Sequence, residues 1–77
     1  MKYKILHIPT GTWYNGGQGV FSNSSDISHS YFKDIDIAHS YLKRFGDLPS
    51  IYILEEQKYI DISGINEFEI IEVYNEI

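Results

Sequence analysis

The sequence predicts an α+β fold: a small curved antiparallel sheet of four to six short strands, with one helix at about residues 35–45 packed on it. Three observations carry this expectation. Short runs rich in β-branched and aromatic residues are punctuated by Gly, Asn and Pro. One segment alone shows a helical period together with start and stop signals. The chain is 43% hydrophobic and 16% aromatic but has no Cys, so apolar packing must hold 77 residues without disulfides or thiolate-bound zinc. This length fits a single domain, residues 1–77.

The first strand is read at Tyr3 to Ile8. Pro9-Thr10-Gly11 follows and returns the chain into Thr12-Trp13-Tyr14. Pro presets the backbone angle of a turn, and Gly accepts the left-handed conformation that closes a short hairpin loop. Asn15-Gly16-Gly17-Gln18-Gly19 forms a second turn, and Val20-Phe21 returns as a third strand. Ser22 to Ser30 is rich in Ser, Asn and Asp and reads as a loop.

Asp34 or Asp36 offers a helix N-cap, because a carboxylate accepts bonds from unpaired N–H groups. Ile37, Ala38, Tyr41, Leu42 and Phe45 then share one face, which is expected to lie against the sheet. Lys43 and Arg44 suit the last turn, and Gly46 and Pro49 end the helix. Ser50 to Leu54 and Lys58 to Ile62 read as a hairpin turning at Glu55-Glu56-Gln57. Phe68 to Tyr74 is the last strand.

Net charge is −5, and it is unevenly placed. Five of the six basic residues fall within 1–45, and eight of the eleven acidic ones within 46–77. An acidic surface disfavours nucleic-acid phosphate and anionic membrane and suits a basic protein partner. The sequence contains neither the apolar run of a signal peptide nor one long enough to span a membrane, so a cytoplasmic setting is expected, in keeping with the absence of Cys.

Tyr3-Lys4-Ile5-Leu6-His7-Ile8-Pro9-Thr10-Gly11, followed by aromatic residues and Gly19-Val20-Phe21, resembles the start of short uncharacterised tailed-bacteriophage proteins. Those often open with a Lys-Tyr-Lys-Ile-x-His-x-Pro-Thr-Gly hairpin and end on an acidic, aromatic strand like Phe68 to Val73. The resemblance covers about half the chain and rests on a turn rather than an active site. It implies a phage accessory protein in the host cytoplasm and carries over no catalytic residue.

Catalytic chemistry finds little support. His7, His29 and His39 lack the company of a metal site, although Asp36 and His39 have helical spacing. Gly16 to Gly19 lacks the Lys-Ser/Thr of a phosphate loop. Ser22, Ser24 and Ser25 lie near Asp26 and His29 in sequence, but in a loop without rigid support. Glu55 and Glu56 read as solvated turn residues. No catalytic, metal or cofactor-binding residue is assigned.

The last strand points instead to association. Glu69, Ile71 and Val73 alternate with Phe68, Ile70, Glu72 and Tyr74, so both faces mix apolar side chains with a carboxylate. Buried unpaired charge is costly, whereas apolar groups flanked by charge suit an interface. Glu67, Phe68, Glu69, Ile70, Glu72 and Tyr74 are the candidate partner-binding residues, with Ile71 and Val73 as the alternative face. The expected function is a non-enzymatic protein–protein interaction, with a host protein or a second copy as partner. The alternative is a small single-stranded nucleic-acid binder using Lys2, Lys4, Lys43, Arg44 and sheet aromatics such as Trp13, Tyr14, Phe21, Tyr31 and Tyr52.

Overall fold

The computed structural model describes residues 2–24 and 31–73. Most of the Ser-rich loop (Ser25, Asp26 and His29 included) and Tyr74 lie outside the described residues. The chain order is β1 (Lys2–His7), β2 (Thr12–Tyr14), β3 (Val20–Ser22), α1 (Ile35–Gly46), β4 (Ser50–Ile53), β5 (Lys58–Asp61), a 3-10 turn at Ile65–Glu67, and β6 (Phe68–Val73). The strands form one open sheet in the order β5-β4-β3-β2-β1-β6, with α1 packed on one face.

The α+β class and the single helix follow the expectation, but the sheet is mixed rather than antiparallel. Strands β3 and β4 run parallel, pairing Val20 with Tyr52 and Phe21 with Ile53. The reason lies in the connection. A two- to four-residue turn reverses a strand, whereas a helical crossover returns the chain in its original direction. The described helix lies between β3 and β4 in the chain. Every other pairing is antiparallel.

The first hairpin closes as its turn residues require. The Gly11 N–H donates to the His7 carbonyl at 2.9 Å, with Gly11 at φ 67°, where a side chain would be strained. Asp34 is the N-cap of α1 and accepts the Asp36 N–H at 2.8 Å. Lys43 and Arg44 occupy the last turn. At the other end of α1, Gly46 lets the 3-10 turn come close: a Cβ there would lie 2.7 Å from the Ile65 Cβ.

Strand alternation gives the sheet two unlike faces. Ile5, His7, Thr12, Tyr14, Phe21, Ile51, Ile53 and Phe68 are buried on the helix side. Their rings interlock with those of the helix: Tyr14 lies 4.8 Å and Phe21 5.5 Å from Phe45, centroid to centroid. Leu6, Trp13, Val20, Tyr52, Ile71 and Val73 occupy the helix-free face and are partly buried.

The helix face needs one correction. Ala38 and Phe45 are buried and Tyr41 and Leu42 pack partly buried against the core, but Ile37 is 51% exposed. The stripe 38, 41, 42, 45 follows the i, i+3, i+4, i+7 rule. At 100° per residue Ile37 falls roughly a quarter-turn from its centre.

Truncation separates these positions. Phe45→Ala is expected to cost about 3–5 kcal/mol, and the half-buried Leu42→Ala about 2 kcal/mol. Ile37→Ala is expected to cost less than about 0.5 kcal/mol. Urea unfolding monitored by circular dichroism measures all three, and an Ile37 loss equal to that of Leu42 would refute the assigned face.

Candidate functional site

Two features of the fold bear on function, one facing inward and one outward. The inward one is built on His7, whose side chain is 1% exposed. Its Nε2 lies 2.8 Å from Glu67 Oε1 and its Nδ1 2.8 Å from Thr10 Oγ1, which in turn lies 2.7 Å from Thr12 Oγ1. An ionised carboxylate only accepts, so Nε2 carries a proton and donates to Glu67. In the neutral ring Nδ1 then accepts from Thr10, which accepts from Thr12. The second Glu67 oxygen accepts the Ser63 N–H at 3.0 Å. Hydrogen bonding by the Ser63 side chain first, and by His7 next, holds the Glu67 carboxyl at about 2, well below its ordinary range.

The order hydroxyl, imidazole, carboxylate is that of a nucleophilic triad. Here it is an internal brace. The imidazole sits under Phe68 at 5.0 Å and beside Phe21 at 6.2 Å, and it lines neither of the two clefts described below. Among the described residues no group of three or more His, Asp or Glu side chains is placed to hold a metal ion. Asp36 and His39 remain a helix pair without further ligands.

Glu55 is exposed, as read for a turn carboxylate, and it is also bonded. It accepts the Ser22 hydroxyl and, at 2.9 Å, the Asn23 N–H, tying the β4–β5 turn to the end of β3. These two bonds, Ser22 first, lower its pKa. Glu56 pairs at the surface with Lys58 at 3.0 Å. The glycine-rich turn leads into β3 rather than into a helix, and Tyr14 donates its hydroxyl to the Gly17 carbonyl at 2.8 Å. A small cleft of about 120 Å³ lies between that turn and Tyr41, Arg44, Phe45 and Leu48.

The outward site is a groove of about 460 Å³ between α1 and β6. Ile35, His39 and Leu42 form one wall by their i, i+4, i+7 spacing. Tyr3, Phe68, Ile70, Glu69 and Glu72 complete the lining. The lining includes Glu69 and Glu72 and no Lys or Arg, with Glu69, opposite Leu6, belonging by register to the helix-free face. The groove has an apolar wall in Ile35, which is 43% exposed, and Leu42.

Strand β6 is the outer strand of the sheet, and the pairing register defines its free edge. Tyr3 exchanges two 2.8 Å backbone bonds with Phe32 on the β2 side of β1, while the Ile8 N–H donates to the Glu67 carbonyl at 2.8 Å on the β6 side. Even-numbered residues of β1 therefore bond to β6. Opposite them, Glu69, Ile71 and Val73 turn their backbone groups to β1. Ile70 and Glu72 turn theirs outward, with no partner among the described residues. The Phe68 N–H is taken by the Ile65 carbonyl.

Of the candidate partner-binding residues, the groove brings together Phe68, Glu69, Ile70 and Glu72. Two of the six also serve the fold itself. Phe68 is only 6% exposed and belongs to the core, because it seals the end of α1 against His7 and Phe45. The Glu67 carboxylate is spent internally on His7 and Ser63. Tyr74 lies outside the described residues. Ile71 and Val73 are on the helix-free face, beside Lys4 and Lys2.

The nucleic-acid set is divided. Lys2, Lys4, Trp13 and Tyr52 share the helix-free face, with Lys4 5.5 Å from the Trp13 ring. Lys43 and Arg44 sit on α1 across the sheet, where Arg44 lies over Tyr41 at 4.7 Å. Tyr14 and Phe21 are buried. No protein-family model, curated protein or solved structure matches this chain. None of the helices is long and apolar enough to cross a membrane, among the described residues.

Because its folded pKa is depressed, Glu67 stabilises the fold fully above its unfolded value of about 4.3. That contribution is lost as pH falls through about 2. Glu67→Gln is therefore expected to lower stability at neutral pH and to flatten the decline between roughly pH 4.5 and 2, leaving a remnant that includes Glu55. Thermal unfolding of both proteins across that window measures the difference. Parallel curves would show that Glu67 is not the group responsible.

Proposed function

We propose that this chain is a non-enzymatic protein-interaction domain whose binding site is the acidic groove between α1 and β6. One observation carries the reading: the strand whose outer edge has no partner among the described residues also sets Glu72 beside an open apolar wall, with Glu69 at the rim of the same groove. Apolar contacts framed by charge are the composition of an association surface, and the carboxylates add attraction for a basic partner. The resemblance of the Lys2–Gly11 hairpin to short tailed-phage proteins favours a host protein as that partner, with the domain acting as an accessory or inhibitor in the host cytoplasm.

Single-stranded nucleic acid is the second reading. It draws on Trp13, Tyr52 and the largely exposed Tyr59, stacked edge to face with Tyr52 at 5.1 Å, together with Lys2 and Lys4. It is less favoured because Lys43 and Arg44 do not join this face and the overall charge is −5. Retention on an oligonucleotide column at low salt, lost on Trp13→Ala, would reverse the preference.

The double charge reversal Glu69→Lys with Glu72→Lys is expected to weaken capture of the host partner at least tenfold. Raising salt from 50 to 500 mM should weaken wild-type capture in the same direction. Quantitative pull-down from bacterial lysate with both proteins reads this out. Capture indifferent to reversal and to salt would exclude the acidic groove as the binding site.

A further inference from the structure

The groove and the free edge together specify the shape of the ligand, and this deepening rests on the protein-binding reading above. We propose that β6 binds its partner by strand addition: an extended segment pairs with the outer edge of β6, presenting two apolar residues flanked by basic ones. The backbone argument comes first. Ile70 and Glu72 direct N–H and C=O groups away from β1 without partners among the described residues, and such an edge is a template for another extended chain. A helix cannot satisfy those groups, because its own backbone bonds are internal.

The side-chain argument sets the sequence of the guest. Residues directly opposite on adjacent strands share a face and interact. Edge positions 69 to 72 read Glu, Ile, Ile, Glu. Their complement is a basic residue, two apolar residues and a basic residue. The residue opposite Ile70 projects to the helix side, where Leu42 and Ile35 line the groove. The basic residue opposite Glu72 points to that side, and the one opposite Glu69 points to the other. The host pattern reads alike in both directions, so it does not select parallel or antiparallel addition. A second copy of this chain fits poorly, because edge-to-edge pairing would gather both copies' Glu69 and Glu72 along one seam.

The test uses the full chain and a capped hexapeptide, Thr-Lys-Val-Leu-Lys-Thr, with two derivatives N-methylated on alternate residues. N-methylation removes donors from one edge of an extended peptide and leaves the other edge intact. One derivative is expected to bind at least tenfold more weakly than the parent and the other to bind like it. Hydrogen exchange at the Ile70 and Glu72 amides is expected to slow at least tenfold in the complex, with Glu69 and Ile71 already protected in the free protein. Equal binding of both derivatives without new protection would overturn strand addition. So would failure of the parent peptide to bind. In either case, lysate capture that still depends on Glu69 and Glu72 would leave the protein-binding reading standing, and loss of that dependence would end both. Protection of Ile70 and Glu72 that grows with protein concentration alone would assign the edge to a second copy and overturn the proposal.

Discussion

The buried imidazole of His7 is the joint on which the fold depends. It stands where the first hairpin meets the start of the last strand, 60 residues away in sequence, and bonds to both. Its Thr10 contact holds the Pro-Thr-Gly turn, and its Glu67 contact delivers the chain into β6. A polar ring with every nitrogen bonded can sit among Phe21 and Phe68 without the penalty of an unmet donor. Removing it would leave Glu67 and Thr10 each short of a partner in a part-buried site. The conformation of one turn and the position of β6 are therefore set by the same side chain.

That joint explains why the groove has the walls it has. Phe68, the first residue of β6, packs on His7 and Phe45, so the strand starts in the core and emerges from it as it proceeds. Its later residues lie at the sheet edge under the flank of α1, where Ile35 and His39 overhang. A chain this small buries a limited share of its surface, and it concentrates aromatic rings at the centre. The margin, where rings run out, is the groove.

Much of this architecture is legible in the chain. The hairpin at Pro9-Thr10-Gly11, the Asp34 cap, the helix and the β4–β5 hairpin all follow from local turn and capping chemistry. The parallel pairing of β3 with β4 was not legible, because strand order is set by where α1 crosses the sheet. Ile37 was misplaced because a hydrophobic face read from spacing has uncertain edges, and α1 packs on only one side of its stripe. The brace around His7 was hidden for a different reason. Glu67 is distant in sequence, and a carboxylate beside an apolar strand reads as surface charge until the fold brings a donor to it. The 3-10 turn at Ile65–Glu67 carries no periodic signal in so short a span. The candidate site was legible in part: alternation singled out Glu69, Ile70 and Glu72, which line the groove, but it could not show that the overhanging wall comes from α1.

The pairing of β6 with β1 joins the first and last described strands, with Lys2 opposite Val73. Such a contact has the longest sequence separation among the described residues, and its closure entropy is met only after the intervening elements have organised. During synthesis β1, β2 and β3 emerge before β6, leaving the outer edge of β1 bare until β6 follows. The groove has no floor before that moment. A nascent or truncated chain would therefore expose a different edge, that of β1 with Lys2, Lys4 and Leu6, and would lack the acidic one. On the proposed reading, the strand that completes this sheet is therefore also the one that supplies the edge a partner would meet.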